Sequence, residues 1–333
     1  MALTWLQFIV CTAAIVLSGR KLSRYGDVIA EKTGIGRTWI GVVLMATVTS
    51  LPELVTGISS VTYANVPDIA IGDVLGSCVF NMLILALLDA LYKPMPISTK
   101  AHHGHILSAG FGILLLSVVA ISLSFGKSLP SFGWIGLYSL FFVITYSIAM
   151  RLVYAYEKRQ LAEFIKELAV ELKYKDISIN TAVFHYFMNA AIVIIAAIFL
   201  PKIGGSIASA TGLGQTFVGN ILIAISTSLP EVVVSISAVR IDAVDLAIGN
   251  LFGSNIFNVF ILAIDDIFFT RGPILSFANP AHIISALSAI CMTAIAVIGL
   301  TYRAERKSLF MAWDSIGIML VYVSNVTLLY LMK

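Results

Sequence analysis

Two segments of the chain set polar groups into otherwise apolar sequence. Residues 41–53 read GVVLMATVTSLPE and residues 219–231 read GNILIAISTSLPE. Each ends in a hydroxyl pair, a proline and a glutamate: Thr49, Ser50, Pro52 and Glu53 in the first, Thr227, Ser228, Pro230 and Glu231 in the second. Thr49 and Ser50 stand four and three residues before Glu53, so hydroxyls and carboxylate share one helix face, and the second copy repeats the spacing. Two carboxylates and up to four hydroxyls make an all-oxygen donor set. Calcium, a hard cation, takes about 6–8 such oxygens in flexible geometry. The motifs contain neither thiolate nor imidazole, which disfavours zinc or copper.

The prolines add backbone oxygens. Pro52 cannot donate to the carbonyl of Val48, nor Pro230 to that of Ser226, so each helix should bend or break there and free carbonyls near 46–49 and 224–227. A carboxylate at mid-bilayer costs about 2.5–3.5 kcal/mol on insertion scales. No apolar segment carries a basic residue at comparable depth, so a cation or a proton is left to offset that cost. A merely kinked helix with a hydrogen-bonded Glu would have to be invoked twice.

A second repeated motif follows each glutamate. Residues 68–81 read DIAIGDVLGSCVFN and residues 245–258 read DLAIGNLFGSNIFN. Gly72, Gly76 and Ser77, like Gly249, Gly253 and Ser254, have the small-residue spacing of closely packed membrane helices. Asn81 and Asn258 lie one turn beyond Ser77 and Ser254 on the same face and are read as site residues. Asp73, two turns from Asn81 on that face, is an accessory candidate: a proton-linked or vestibule carboxylate, or a hydrogen-bonded interhelical one.

These stretches need helices to hold them. Of 333 residues, 59% are hydrophobic and 12% charged, against roughly a quarter charged in soluble domains. The chain is therefore a multi-span membrane protein, and no basic, aromatic-interleaved patch suggests a nucleic-acid partner. With about 20 apolar residues per span, candidates are 2–19, 37–62, 68–92, 104–125, 131–151, 179–200, 215–240, 245–269, 280–301 and 311–331, ten in all. The first is read as a retained helix, because its positive charges Arg20, Lys21 and Arg24 follow the apolar run. Cys11, Cys78 and Cys291 sit far apart in apolar segments and are read as small buried hydrophobes. His102, His103 and His105 are read as a solvated interfacial cluster, and Asp89, Asp265 and Asp266 as interfacial or cation-attracting groups near span ends rather than ligands.

The two copies are five spans apart. Since five is odd, the second copy enters from the opposite face, the inverted-repeat plan of secondary transporters, whose sites lie near the midplane where repeats meet. The expected fold is thus all-α and integral to the membrane, with ten transmembrane helices in two inverted five-helix repeats. They span 1–152 (motifs within 33–92) and 179–333 (motifs within 211–268), joined by an amphipathic linker at 153–178. With the N-terminus outside, 17 of the 21 Lys and Arg fall on the inner side, so both termini are expected outside and the linker in the cytoplasm.

Taken together, the paired TSLPE and G-(D/N)-x-x-G-S-x-x-x-N stretches resemble the two alpha-repeats of the cation/calcium exchanger superfamily, and its sodium/calcium branch more than its proton-coupled branch. The resemblance implies alternating access, with sodium and calcium competing for one site. It carries over as ligands Glu53, Glu231, Thr49, Thr227, Ser50, Ser228, Ser77, Ser254, Asn81 and Asn258, with the carbonyls of Ala46 and Ala224. The chain departs from the sodium-coupled pattern, which often has Asp at position 258 and Asn at position 73. Cys78 also stands where the second repeat has Asn255. With Asn258 neutral, the central charge is −2 when both glutamates are ionised.

The expected activity is therefore calcium/sodium antiport, with proton-coupled exchange of calcium or another divalent cation as the alternative. An intramembrane aspartyl protease is the remote one: Gly72-Asp73 is similar to its Gly-Asp segment, but the equivalent residue is Asn250. A passive channel is the fourth reading. The partners expected are calcium, sodium, protons in the alternative, and the lipid bilayer, with no cofactor, enzymatic activity or obligate protein partner. The short central linker suggests a microbial inner-membrane protein.

Overall fold

The computed structural model describes residues 1–33, 49–93, 95–164, 177–240, 242–307 and 310–332. Of the expected ligands, the Ala46 carbonyl lies outside these residues, as do the first half of the expected second span and residues 165–176 of the linker.

The chain is built of helices. α1 runs Ala2–Thr33, α2 Leu51–Ser59, α3 Pro67–Leu91, the short α4 Ile97–Lys100, α5 His105–Phe125 and α6 Leu137–Phe164. The second half has α7 Ile179–Thr211, α8 Gly214–Val218, α9 Ala224–Thr227, α10 Leu229–Arg240, α11 Val244–Phe268, α12 His282–Tyr302 and α13 Trp313–Leu331. A two-stranded antiparallel ribbon, Ser131–Phe132 with Ile135–Gly136, leads into α6. Among the described residues, seven helices are long and apolar enough to cross a membrane, and the pair Gly214–Thr227 and Leu229–Arg240, bent by 45°, makes an eighth. The expected fifth span is the shorter apolar part of α6, Leu137–Val153. That helix continues to Phe164, so the expected linker helix begins as its extension.

Local chemistry sets the breaks. Ser50 (φ −89°, ψ 11°) and Ser228 (φ −87°, ψ 6°) occupy the same bridge conformation, each ahead of a Leu-Pro pair that starts a new helix. α7 is capped by the Ser178 hydroxyl, which accepts from the Thr181 N–H at 3.2 Å, and ends at Gly212 with φ 70°.

α3 and α11, which carry the second motif, are the most enclosed of the candidate spans, with 72% and 78% of their apolar windows buried. α1 and α7 pack along each other and are only 22% and 28% buried, so they face outward over most of their length. The main core joins α3, α5, α11 and α12; a smaller cluster lies between α1, α7 and the Gly219–Ile223 turn. Close approach depends on glycine at Gly76, where a Cβ would stand 2.6 Å from the Asn220 Cα. Bilayer helices lack a hydrophobic drive toward one another, so such backbone contact is what brings α3 onto the second TSLPE segment.

Two aspartates clamp the helix ends, which corrects the interfacial reading. Asp89 and Asp266 are fully buried. Asp89 accepts from the N–H groups of Ile97 (2.8 Å) and Ala312 (2.7 Å), with Lys307 at 3.5 Å. Asp266 accepts from the N–H groups of Ile274 (2.7 Å) and Gly136 (2.8 Å), the Tyr138 hydroxyl (2.8 Å) and the Ser139 hydroxyl (2.5 Å). Each takes the N–H eight residues later, so the clamp is repeated. Cys78 alone of the three cysteines is buried, and Cys291 faces outward.

Candidate cation site

Glu53 opens α2 and Glu231 opens α10, each in the first turn after its Ser-Leu-Pro break, and both are buried. The spacing within one helix predicts that Ser50 serves Glu53 and Ser228 serves Glu231; the fold crosses the pairs. The Ser50 hydroxyl donates to Glu231 Oε1 at 3.3 Å, and the Ser228 hydroxyl donates to Glu53 Oε1 at 2.9 Å. Glu231 Oε1 also receives the Ser254 hydroxyl at 3.4 Å and is faced by Thr49. Ser77 stands 2.8 Å from the Ser228 hydroxyl. A break at the same serine in both copies turns each hydroxyl out of its own helix and toward the other repeat's carboxylate.

The remaining donors gather around this pair. Asn81 Nδ2 donates to Asn255 Oδ1 at 2.9 Å, and Asn255 Nδ2 donates to the Cys78 carbonyl at 3.3 Å, so Cys78 meets its own repeat counterpart. Both amide atoms of Asn258, which faces the Cys78 thiol, lack a nitrogen or oxygen hydrogen-bond partner. So do Glu53 Oε2, Glu231 Oε2 and Asn81 Oδ1. Buried polar atoms are ordinarily paired, and five unpaired ones on four neighbouring motif residues make a polar lining suited to a ligand. Ala224's carbonyl accepts from the Ser228 N–H at 3.0 Å. Thr227 donates to Asp73 Oδ1 at 2.8 Å, which draws the accessory aspartate to the second repeat's hydroxyl.

Sequence reasoning missed three features. The first is α1: Thr12 donates to the Ser226 hydroxyl at 3.0 Å, and a Cβ at Gly19 would stand 2.8 Å from Pro230 Cγ, so α1 crosses the second helix break. The second is a pair of clasps between the repeats. His105 Nε2 lies 2.9 Å from Asp245 Oδ1, and His282 Nε2 lies 3.0 Å from Asp68 Oδ1. The backbone N–H groups of His102 and Asn279 add to the same two oxygens at 2.7 Å each. His105 is thus buried and paired, a correction to the solvated cluster. The signal was there to find: Asp68 and Asp245, and His105 and His282, are each 177 apart, the offset of the repeat. The third is Asp265, fully buried between α11 and α2 where an interfacial position is expected. It lies seven residues, two turns, beyond Asn258 on the same helix face.

A family model described as sodium/calcium exchanger protein matches residues 3–155 and 181–331. The chain is 28% identical to the inner membrane protein YrbG of Escherichia coli (strain K12), over 79% of this chain and 78% of that one. It is 26% identical to the sodium/calcium exchanger MaX1 of Methanosarcina acetivorans, over 91% of each. Its fold matches that of the sodium-calcium exchanger NCX_Mj soaked with 100 mM Na+ and 10 mM Sr2+, at a TM-score of 0.62, 20% identity and 98% coverage of both chains.

Proposed function

We propose, on the premise that this chain belongs to the sodium/calcium exchanger protein family, that it is an integral membrane antiporter exchanging calcium for sodium at one shared oxygen site. The observation that carries the reading is the crossed pairing of Ser50 with Glu231 and Ser228 with Glu53, which leaves Oε2 of both buried glutamates without a protein partner. Each repeat supplies a carboxylate and the hydroxyl that orients the other repeat's carboxylate. An ion drawn to the pair therefore couples the two halves of the molecule.

The ligands are Glu53, Glu231, Thr49, Thr227, Ser50, Ser228, Ser77, Ser254, Asn81 and Asn258, with the carbonyls of Ala46 and Ala224. Because calcium and sodium compete for the same oxygens, they do not load together. A site holding calcium, or sodium ions, is near neutral, while the dianionic site without a cation resists exposure to the bilayer interior. Exchange follows, and uniport is suppressed. The working architecture is ten spans in two inverted five-helix repeats, 1–152 and 179–333, with both termini outside and the 153–178 linker on the cytoplasmic side of a microbial cell membrane.

Calcium uptake into proteoliposomes, measured while sodium, potassium and proton gradients are imposed one at a time, tests the reading. Only an outward sodium gradient should drive uptake, and Glu53→Gln or Glu231→Gln should abolish it. Uptake that survives both substitutions rules out the mechanism. Asp73, held by Thr227 next to the glutamates, favours proton coupling as the second reading. Uptake driven by a proton gradient and indifferent to sodium would establish that reading instead.

A further inference from the structure

The repeat leaves one asymmetry that the shared site does not use. In the second half, Asn250 Nδ2 donates to the Ser235 hydroxyl at 3.3 Å, a neutral amide and hydroxyl pair between α11 and α10. The equivalent positions in the first half are Asp73, at an offset of 177, and Gly57, at an offset of 178. The space a side chain would take at Gly57 is filled from across the interface: a Cβ there would stand 2.8 Å from the Asp265 Cγ. Asp265 in turn has Leu88 as its counterpart. One half of the molecule is thus neutral at this place, and the other has Asp73 where Asn250 stands and Asp265 against the glycine that replaces Ser235.

These carboxylates are not paired with protein. Asp73 and Asp265 are both fully buried. Thr227 occupies Asp73 Oδ1, while Asp73 Oδ2, both oxygens of Asp265 and the buried hydroxyl of Thr56, the residue before Gly57, have no hydrogen-bond partner. Asp73 acts electrostatically on both Glu53 and Asp265, and the 3.3 Å contact of its counterpart Asn250 with Ser235 marks the same place in the second half. A charge buried without a partner costs several kcal/mol, and among the described residues no basic side chain is paired with either aspartate.

We propose that Asp73 and Asp265, with the hydroxyls of Thr56 and Thr227, form a second cation site, for a monovalent cation of sodium's class, flanking the glutamate pair on one side only. The four unpaired oxygens fall short of the 6–8 that calcium takes. Among the described residues no three or more His, Cys, Asp or Glu side chains come together as a metal cluster, which argues against a transition metal. The neutral Asn250 and Ser235 pair makes the other half unsuited to the same ion, so the site gives the two halves different sodium affinities. The proposal deepens the exchange reading above and depends on it only for the identity of the shared site.

The test is thermal stabilisation of the purified full-length protein in detergent, titrated with sodium against choline at constant ionic strength and, separately, with calcium. A ligand that binds only the native state raises its melting temperature in proportion to occupancy. Asp265→Asn, which keeps shape and removes the charge, should raise the half-stabilising sodium concentration by about tenfold or more while moving the calcium curve less than about threefold. Thr56→Val, which changes no charge, should shift sodium in the same direction and serves if Asp265→Asn does not fold. A wild-type sodium curve in both variants would overturn the site and leave Asp265 a protonated structural group. Equal loss of the sodium and calcium responses would overturn its separateness. Glu53→Gln together with Glu231→Gln distinguishes the two levels: a calcium response retained there sinks the exchange reading, while the effect of Asp265 on sodium stays measurable.

Discussion

Removing the Ser228 hydroxyl should weaken calcium binding far more than removing its repeat counterpart on Ser50. Ser228 donates to Glu53 Oε1 at 2.9 Å and lies 2.8 Å from the Ser77 hydroxyl. In Ser228→Ala, Glu53 loses its one side-chain donor, since Oε2 is already unpaired, and Ser77 loses its hydroxyl partner. A hydrogen bond to a charged group contributes about 1.5–3 kcal/mol. At about 1.4 kcal/mol per decade that is roughly a 10- to 100-fold rise in half-saturating calcium. The Ser50 bond to Glu231 is longer, 3.3 Å, and Ser254 and Thr49 share the same carboxylate. Ser50→Ala should therefore cost no more than about 1 kcal/mol, roughly fivefold. The assay is sodium-driven calcium uptake in proteoliposomes as a function of calcium, with Ser228→Thr expected to recover most of the affinity. Equal effects of the two alanines, or a Ser228→Ala curve within threefold of wild type, would refute the crossed-pair reasoning.

Two further outcomes concern the frame that holds the site. Gly76→Ala would place a Cβ 2.6 Å from the Asn220 Cα, so α3 has to move off the second TSLPE segment; overpacking of this kind costs about 1–3 kcal/mol, read as a lowered melting temperature in detergent together with impaired calcium uptake. Asp266→Ala strips the acceptor from four donors, on Gly136, Tyr138, Ser139 and Ile274. At about 1–3 kcal/mol for each donor left unsatisfied, little monodisperse protein should survive extraction. A well-folded Asp266→Ala would show that the clamp is dispensable.

The residue pattern alone was sufficient for the class of molecule, because apolar length and the depth of charged residues are one-dimensional properties. The duplicated motif could be seen as a site for the same reason: Glu53 and Glu231 stand inside apolar runs, next to prolines that break a helix wherever it goes. Ser50 and Ser228 mark the limit. Helical periodicity places each hydroxyl on its own glutamate's face, but the bridge conformation at both serines swings it to the other repeat, and nothing within one helix reports that crossing. Asp89, Asp265 and Asp266 look alike in sequence, acids near the end of an apolar run. Tertiary packing separates them, giving Asp89 and Asp266 backbone N–H groups to hold and leaving Asp265 against Gly57 with no hydrogen-bond partner. His105 and His282 were open to the same misreading, because their aspartate partners come from the opposite repeat. What the sequence by itself determined was the inventory, the membrane setting and the duplication, since each follows from residue type and spacing along one strand of chain. Which groups of that inventory meet was left to the tertiary structure, because contact across helices depends on their breaks and crossings, and those arise only when the two halves pack together.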